Sequence, residues 1–556
     1  MAFRGKFLPL RCYAPKDAGS EFFDPLNAKG YFLCKTDSRK AVLLLLIVPF
    51  LLFFYSNSGI SNDSLQSGID LLNAVQTTLA NQPNIRLLKQ DIDSKTGQLR
   101  IEQGRFDTTL GASIGHSHDE IPRSALDQLL GVQEITDTTR YGIQLTREFR
   151  TGVAIQPGIS LRRIYTQEPN YPTENRAQVD FIVTVPLFKS GGREVTEAGE
   201  RVAKKGVDIS MLRLRHQASV SVLNTVKAYW HYLAAEKQLH QLRQSESRAE
   251  NFVKDMRMLI ELDERPAADM EQAQAYLAEK KAARIAGTQN LFEARQQLGL
   301  AIGIPSGQIT VLPQPTSDFP LPDTNDIISA VTDPSSAFMP LSPALRPDYQ
   351  AMEAQQEASR ILLNAARNGL QPKVDLAFRV GYNGLDEGSH MFNTVSALDS
   401  NVPGITVGAG INYRWPFSNN AAQGALMQRK AEYEQIRIMT EDLSRSIYSS
   451  AATALSDLIT SSQQLAHSQM AVRSYKKAVE NENTKFKMGV STVLDRITLE
   501  NFMTNALLQE IAAHEKYSNA LARLRHETGT LLAQTDLGLS VGIQELTTIP
   551  SVKEVP

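Results

Sequence analysis

The 556-residue sequence predicts a mainly α-helical chain with a smaller β portion, built from one unit written twice. Three observations carry this. Anchor residues of the first half return in the second at an offset of 226: Asp269 with Asp495, and Ala294, Leu298 and Gly303 with Ala520, Leu524 and Gly529. Runs of alternating apolar and polar residues, the period of a two-faced strand, occur in each half. These runs close at Pro186-Leu187-Phe188 and Trp415-Pro416-Phe417 and give way to helical patterns. Each pattern runs for roughly 70 residues, on the order of 100 Å at 1.5 Å per residue.

Residues 1–58 read as a basic leader and secretion signal. Lys35, Arg39 and Lys40 precede the one strongly apolar stretch, Ala41 to Tyr55, which leads into the small residues Ser56-Asn57-Ser58-Gly59. At 15 residues that stretch is short for a spanning helix, which needs about 20, and cleavage after Ser58 is expected. Both cysteines, Cys12 and Cys34, lie before it, so the mature chain has none, as suits an oxidising compartment.

The first unit, 59–340, opens with a helix over Leu65 to Gln103 broken at Pro83. The second, 341–535, opens with Leu345 to Asn368. Strands follow. In the second unit Val374, Leu376, Phe378, Val380 and Tyr382 form one apolar face, and Ile405, Val407, Ala409, Ile411 and Tyr413 another. The first unit has Val179, Phe181, Val183 and Val185, and a weaker run over Phe106 to Ile114. Asp107 to Pro186 spans 79 positions against 41 for the matching Asp375 to Pro416, so 38 residues are extra, the size of a hairpin. Tyr141, Ile143 and Leu145, then Val153, Ile155, Ile159 and Leu161, supply its two strands around Thr151-Gly152. Whether this hairpin joins the other strands or projects from them is left open by the pattern.

Two-faced strands fit a soluble sandwich, apolar faces inward, or a membrane barrel, apolar faces to lipid. The long helices favour the barrel, since a sandwich has no use for them. Four strands cannot close a barrel, whose smallest membrane forms use about eight, so several chains must share one; three copies of four give twelve. The rival reading is a soluble periplasmic coiled-coil scaffold.

Helical runs cover Glu194 to Leu262 and Ala421 to Lys487. In the latter, Ala451, Leu458, Leu465, Val472, Val479 and Phe486 fall at strict sevens, the spacing of a coiled-coil seam. Each run reverses into an antiparallel partner, Pro266 to Leu300 and Thr492 to Leu532. The reversals place Asp263, Glu264, Arg265 and Asp269 at one tip and Lys487 and Gly489 at the other, farthest from the strands. Short turns there are exposed for a docking partner. Residues 536–556 read as a flexible tail.

Net charge is −2 with charged residues at 21% and aromatics at 7%, which favours long solvated helices and gives no purchase to nucleic acid. The cluster His116-Ser117-His118-Asp119-Glu120 lacks ligand-spaced partners and reads as an exposed loop rather than a metal site. Lys189-Ser190-Gly191-Gly192-Arg193 lacks the phosphate-loop pattern and reads as a strand-to-helix hinge. With no triad, zinc signature or dinucleotide fingerprint, neither enzyme activity nor a cofactor is expected.

The two-unit plan, the openings "NQPNI" at 81–85 and "RPDYQ" at 346–350, the turn Phe486-Lys487-Met488-Gly489 ahead of Asp495, and the doubled A-x3-L-x4-G endings together resemble the TolC family of outer-membrane channel-tunnel proteins. The resemblance covers roughly Leu65 to Leu532. It implies a homotrimer in the outer membrane of a Gram-negative bacterium: one β-barrel in lipid, continued by an α-helical barrel across the periplasm. It implies as partners a periplasmic adaptor and an inner-membrane RND or ABC transporter, serving efflux or type I secretion. The family's periplasmic constriction maps onto Asp495, with Thr498 where a second ring aspartate stands, Phe486 for a gate tyrosine and Ser491 for a gate arginine. At the first tip Asp263 replaces the family's glycine, in a position where aspartate tolerates left-handed backbone better than most residues.

Overall fold

A computed structural model of the chain describes residues 68–122, 134–167, 171–322, 343–399, 402–535 and 538–550. The leader, both cysteines and the expected cleavage site lie outside them. Asp70 caps helix α1 (Leu71–Asn81), its carboxylate accepting from the Leu72 amide at 2.7 Å. Gln82 then breaks the run, and Pro83 opens α2 (Pro83–Gly104) at the position where a missing N–H costs nothing. Four strands follow: β1 (Thr109–Ile121), β2 (Glu134–Glu148), β3 (Ala154–Thr166) and β4 (Glu174–Pro186). A single-turn helix α3 (Arg193–Thr196) leads into α4 (Ala198–Glu261), which reverses into α5 (Ala268–Ile302). The second half repeats the order with fewer strands: α6 (Pro347–Asn368), β5 (Lys373–Glu387), β6 (Val402–Arg414), α7 (Asn420–Lys487) and α8 (Val493–Glu527).

The open question about the extra hairpin has a definite answer. β2 and β3 stand inside one antiparallel sheet ordered β1-β2-β3-β4-β5-β6, so the expected four strands are six. Their tight turn, Phe149 to Val153, is closed by Phe149 N–H to Val153 O at 2.8 Å, and Gly152 takes φ 90°. A Cβ on Gly152 would come 2.7 Å from Ser190 O, so the turn packs hard on the hinge that carries β4 into the helices. Arg150 fastens it there, its guanidinium on the Glu200 carboxylate of α4 at 2.8 Å. The segment expected as a strand-to-helix hinge turns through left-handed backbone, with Ser190 at φ 65° and Gly192 at φ 90°.

Register aligns the side chains into rows. Ala112, Ile143, Ile159, Val179, Tyr382 and Ile405 lie opposite one another across all six strands on one face. Gly111, Gln144, Gly158, Asp180, Gly381 and Thr406 form the neighbouring row on the other. The apolar face is open to its surroundings: Ile405 is 81% exposed, Ile114 75% and Val407 75%. His116 to Glu120 lie within β1, not in a loop as expected, because the ladder with β2 continues to Ile121 opposite Glu134. His118 sits 2.6 Å from Asp137 on β2, and among the described residues no group of His, Cys, Asp or Glu is arranged to hold a metal.

The A-x3-L-x4-G endings have a common structural cause. Ala294, Leu298, Ala520 and Leu524 are buried, and Gly303 and Gly529 follow their helices at φ 79° and 73°. Each glycine lets a hairpin end press on the chain just before a proline-opened helix: a Cβ on Gly303 would stand 2.9 Å from Gln82 Cα, and one on Gly529 3.1 Å from Leu345 O. The glycine and the "NQPNI" and "RPDYQ" openings are therefore two sides of one contact. Around the first of these contacts sits the largest core, where Tyr229, Trp230 and Leu233 of α4 pack with Leu71, Leu298 and Ile302. All six residues of the sevenfold seam in α7 are buried. No helix of the described residues is long and apolar enough to cross a membrane.

The C-terminal segment departs from the expected flexible tail. Among its described residues, 538–550, Leu546 is fully buried and Val541 nearly so, both in the main core. The Arg525 guanidinium donates to Thr548 O at 2.6 Å and Ile549 O at 3.3 Å. Two apolar anchors and a buried cation needing acceptors hold a segment whose composition alone reads as tail.

Candidate functional site

The two hairpin tips are built by local backbone chemistry. At the first, α4 ends in a left-handed residue, and Asp263 takes φ 55° as the residue type allows; Glu264 N–H then returns to Leu259 O at 2.9 Å. At the second, Gly489 takes φ 74° and Val490 N–H returns to Lys485 O at 3.1 Å. Thr492 and Asp495 then start α8 with a reciprocal capping box: the Asp495 amide donates to Thr492 Oγ1 at 3.1 Å, and the Thr492 amide to the Asp495 carboxylate at 3.3 Å. Hydrogen bonds from Thr492, side chain first, hold the Asp495 carboxyl below its ordinary range, so it is ionised.

The candidate residues divide into two groups. Asp263, Glu264, Lys487, Gly489 and Asp495 are exposed, and Arg265, Asp269 and Thr498 are half-buried. Phe486 and Ser491, expected at the constriction, are instead buried between the hairpins. Phe486 is the last member of the sevenfold seam, so the face that buries Leu458 and Leu465 buries it too. Ser491 is turned inward by its own hydroxyl, which donates to the Glu482 carboxylate, itself paired with Lys485 at 3.3 Å.

Sequence reasoning missed what these two residues touch. Arg265, from the first tip, donates to Ser491 O at 3.1 Å and sets its guanidinium carbon 4.6 Å from the Phe486 ring centre. Arg496 approaches the same ring at 5.1 Å and the Phe252 ring at 4.5 Å, while the two phenyl rings meet edge-on at 6.0 Å. The tips are thus tied by an arginine–phenylalanine cluster drawn from α4, α7, α8 and the first turn. Spacing within one helix carries no signal for contacts between hairpins more than 200 residues apart. Beside the cluster, a cavity of about 220 Å³ opens among Arg248, Tyr276, Asn483, Arg496 and Glu500, with burial pushing the Tyr276 hydroxyl up to about 12.

Residues 341–530, about a third of the chain, match the family model described as outer membrane efflux protein. That stretch, the second repeat, resembles the outer membrane efflux protein family. Its fold superimposes on the CmeC outer membrane channel of Campylobacter jejuni with a TM-score of 0.60 at 14% identity, covering 83% of this chain and 85% of that one. VceC of Vibrio cholerae gives 0.59 at 13% identity, covering 83% and 96%, and the MtrE channel of Neisseria gonorrhoeae 0.56 at 16%, covering 83% and 88%. No curated protein matches the sequence. The chain therefore has the TolC-like fold, a strand region joined to long helical hairpins. The solved structures it superimposes on are outer-membrane channels, and the family model matched by its second repeat is one of outer membrane efflux proteins.

Proposed function

We propose that three copies of this chain form the exit duct of a tripartite efflux pump, with a periplasmic adaptor at the hairpin tips and an inner-membrane RND or ABC transporter beyond. The observation that carries the reading is the six-stranded sheet with one exposed apolar face and, among the described residues, two unpaired edges. Six strands are fewer than the roughly eight that close the smallest membrane barrel, so copies must share one. Because six is even, β1 and β6 run in opposite directions, and the β1 of a second copy continues the antiparallel order beside β6. Three copies of six strands make eighteen rather than twelve, a barrel about one and a half times as wide. Heat-resistant trimers in the outer-membrane fraction are the expected result. A monomer released without detergent would end this reading.

Small-molecule efflux is the preferred use of the duct. A strain lacking the protein should lose resistance to toxic small molecules while secreting the same proteins; unchanged resistance with one secreted protein lost would assign it to type I secretion.

Three copies of the ionised Asp495 brought near one axis draw cations and repel anions. Asp495→Asn should lower cation preference in single-channel recordings; unchanged selectivity would leave Asp495 as the helix cap alone. The exposed charges Glu264 and Lys487 stand on the turns where an adaptor would dock. Reversing both should weaken adaptor crosslinking at the tips, and crosslinking at the original level would move the docking site elsewhere.

A further inference from the structure

The polar face of the sheet carries a row that residue order along the chain does not reveal. Arg140 of β2 lies opposite Arg162 of β3, which lies opposite Arg176 of β4. All three are exposed, on the same face as Gln144 and Asp180. Adjacent strands lie about 4.8 Å apart, so three guanidinium stems crowd within roughly 10 Å. Directly opposed like charges destabilise a sheet. Only Arg176 is answered, by Glu174 at 2.7 Å; neither Arg140 nor Arg162 has an ion-pair partner among the described residues. The other acid of the adjoining row, Glu387 on β5, stands two strands from Arg162 and three from Arg140.

The row sits high on the sheet. Arg176 is ten residues from the helix-side end of β4, about 34 Å along the strand, which at a tilt of ~40° is roughly 26 Å of height. That is the outer mouth of a barrel whose apolar band is about 25 Å tall. Two of the three arginines come from the extra hairpin, so the same insertion that adds strands adds the charge.

We infer that Arg140, Arg162 and Arg176 form an anion-binding belt inside the outer mouth of the barrel, repeated in each copy, that takes solutes bearing several phosphate, sulfate or carboxylate groups. The inference rests on the shared-barrel reading above. Guanidinium forks suit oxyanions because each presents two parallel N–H donors, and a ligand with several anionic groups relieves the repulsion between neighbours. The Asp495 ring at the far end has the opposite sign, so the two ends of the duct discriminate differently.

The test uses the full-length trimer in planar bilayers, with dextran sulfate and neutral dextran of equal size added on the barrel side. Dextran sulfate should obstruct the wild-type channel at concentrations roughly tenfold lower than neutral dextran, the least enrichment expected of a charged cleft. In R140S/R162S the two polymers should obstruct alike, while R140K/R162K, which keeps the charge, should retain a preference for dextran sulfate. Equal obstruction of the wild type by both polymers, or a preference that survives R140S/R162S, overturns the belt. If R140S/R162S fails to assemble, the wild-type comparison still decides. A purified trimer with no conductance at all would instead overturn the duct reading itself, and the belt with it.

Discussion

Phe486→Ala is expected to uncouple the two hairpin tips, lowering their local stability by about 3–5 kcal/mol, the usual cost of truncating a buried phenylalanine. Phe486 is 4% exposed and in a single ring holds three relationships: an edge contact with Phe252 and stacking by Arg265 and Arg496. Each cation–ring contact adds roughly 0.5–1 kcal/mol, more where water is excluded. Truncation removes all three and leaves Arg496, whose charge burial already disfavours, facing a void. The change reads out as faster amide exchange over 484–496 and 262–268, because protection there reflects local opening rather than global unfolding. It should also raise the conductance of the resting channel if the cluster restrains the tips. Unaltered exchange at both tips would show that the hairpins are held together elsewhere, for instance by the Arg248–Glu500 ion pair at 3.0 Å.

Acid is expected to loosen the opposite end of the long helices through His526. The imidazole is half-buried on α8, its Nδ1 2.8 Å from Ser219 Oγ on α4, and loss of solvent around it, with Arg346 and His216 nearby, lowers its pKa to about 4. The groups facing it are His216 and Lys227 of α4 and the network of Arg346 with Asp348 and Glu527. The folded pKa lies below the unfolded value near 6.5. Below pH ~6.5 the unfolded chain therefore takes a proton that the folded chain refuses until about pH 4, and stability falls across that window by on the order of 3 kcal/mol. Asp348 acts at lower pH. Arg346 depresses its pKa, so its contribution is intact above the ordinary carboxyl range and is lost only as pH falls through the folded value. Hydrogen exchange of α8 at pH 7 and pH 4.5, corrected for intrinsic rates, should show the loss, and His526→Gln, which keeps a polar contact to Ser219 without titrating, should flatten it. An equally steep loss in the variant would place the acid sensitivity in other groups.

What the sequence discloses here depends on the range over which each contact acts. The sevenfold seam from Ala451 to Phe486 was readable because a helix repeats its own face, and all six members are buried. Asp263 was readable as a left-handed turn residue for a local reason, the tolerance of its short side chain, and it takes φ 55°. The doubled glycines marked an ending, yet what they press against, Gln82 and Leu345, lies far off in the chain and became visible only in three dimensions. The family resemblance puts Phe486 at a pore, whereas its own helical face assigns it to packing. Val541 and Leu546 were illegible as anchors because the segment that carries them is too short for its apolar residues to establish a helical repeat. The arginine row was the least legible feature, since Arg140, Arg162 and Arg176 meet only once the turn at Phe149 to Val153 and the pairing of β3 with β4 fix the register.

The extra hairpin also bears on how the width of such a duct changes over evolutionary time. A hairpin adds strands in pairs, so the directions of the two outer strands, and hence the rule by which neighbours join, are preserved by its gain or loss. If three copies share one barrel, as proposed, a single genetic event of this kind is multiplied by three. Calibre then moves in discrete jumps of six strands, with no intermediate size for selection to act upon. The helical hairpins, attached at the other side of the hinge, keep their own number throughout. What must adapt at each jump is only the collar where strand and helix meet, and there Arg150 and Glu200 already tie the inserted turn to its neighbour.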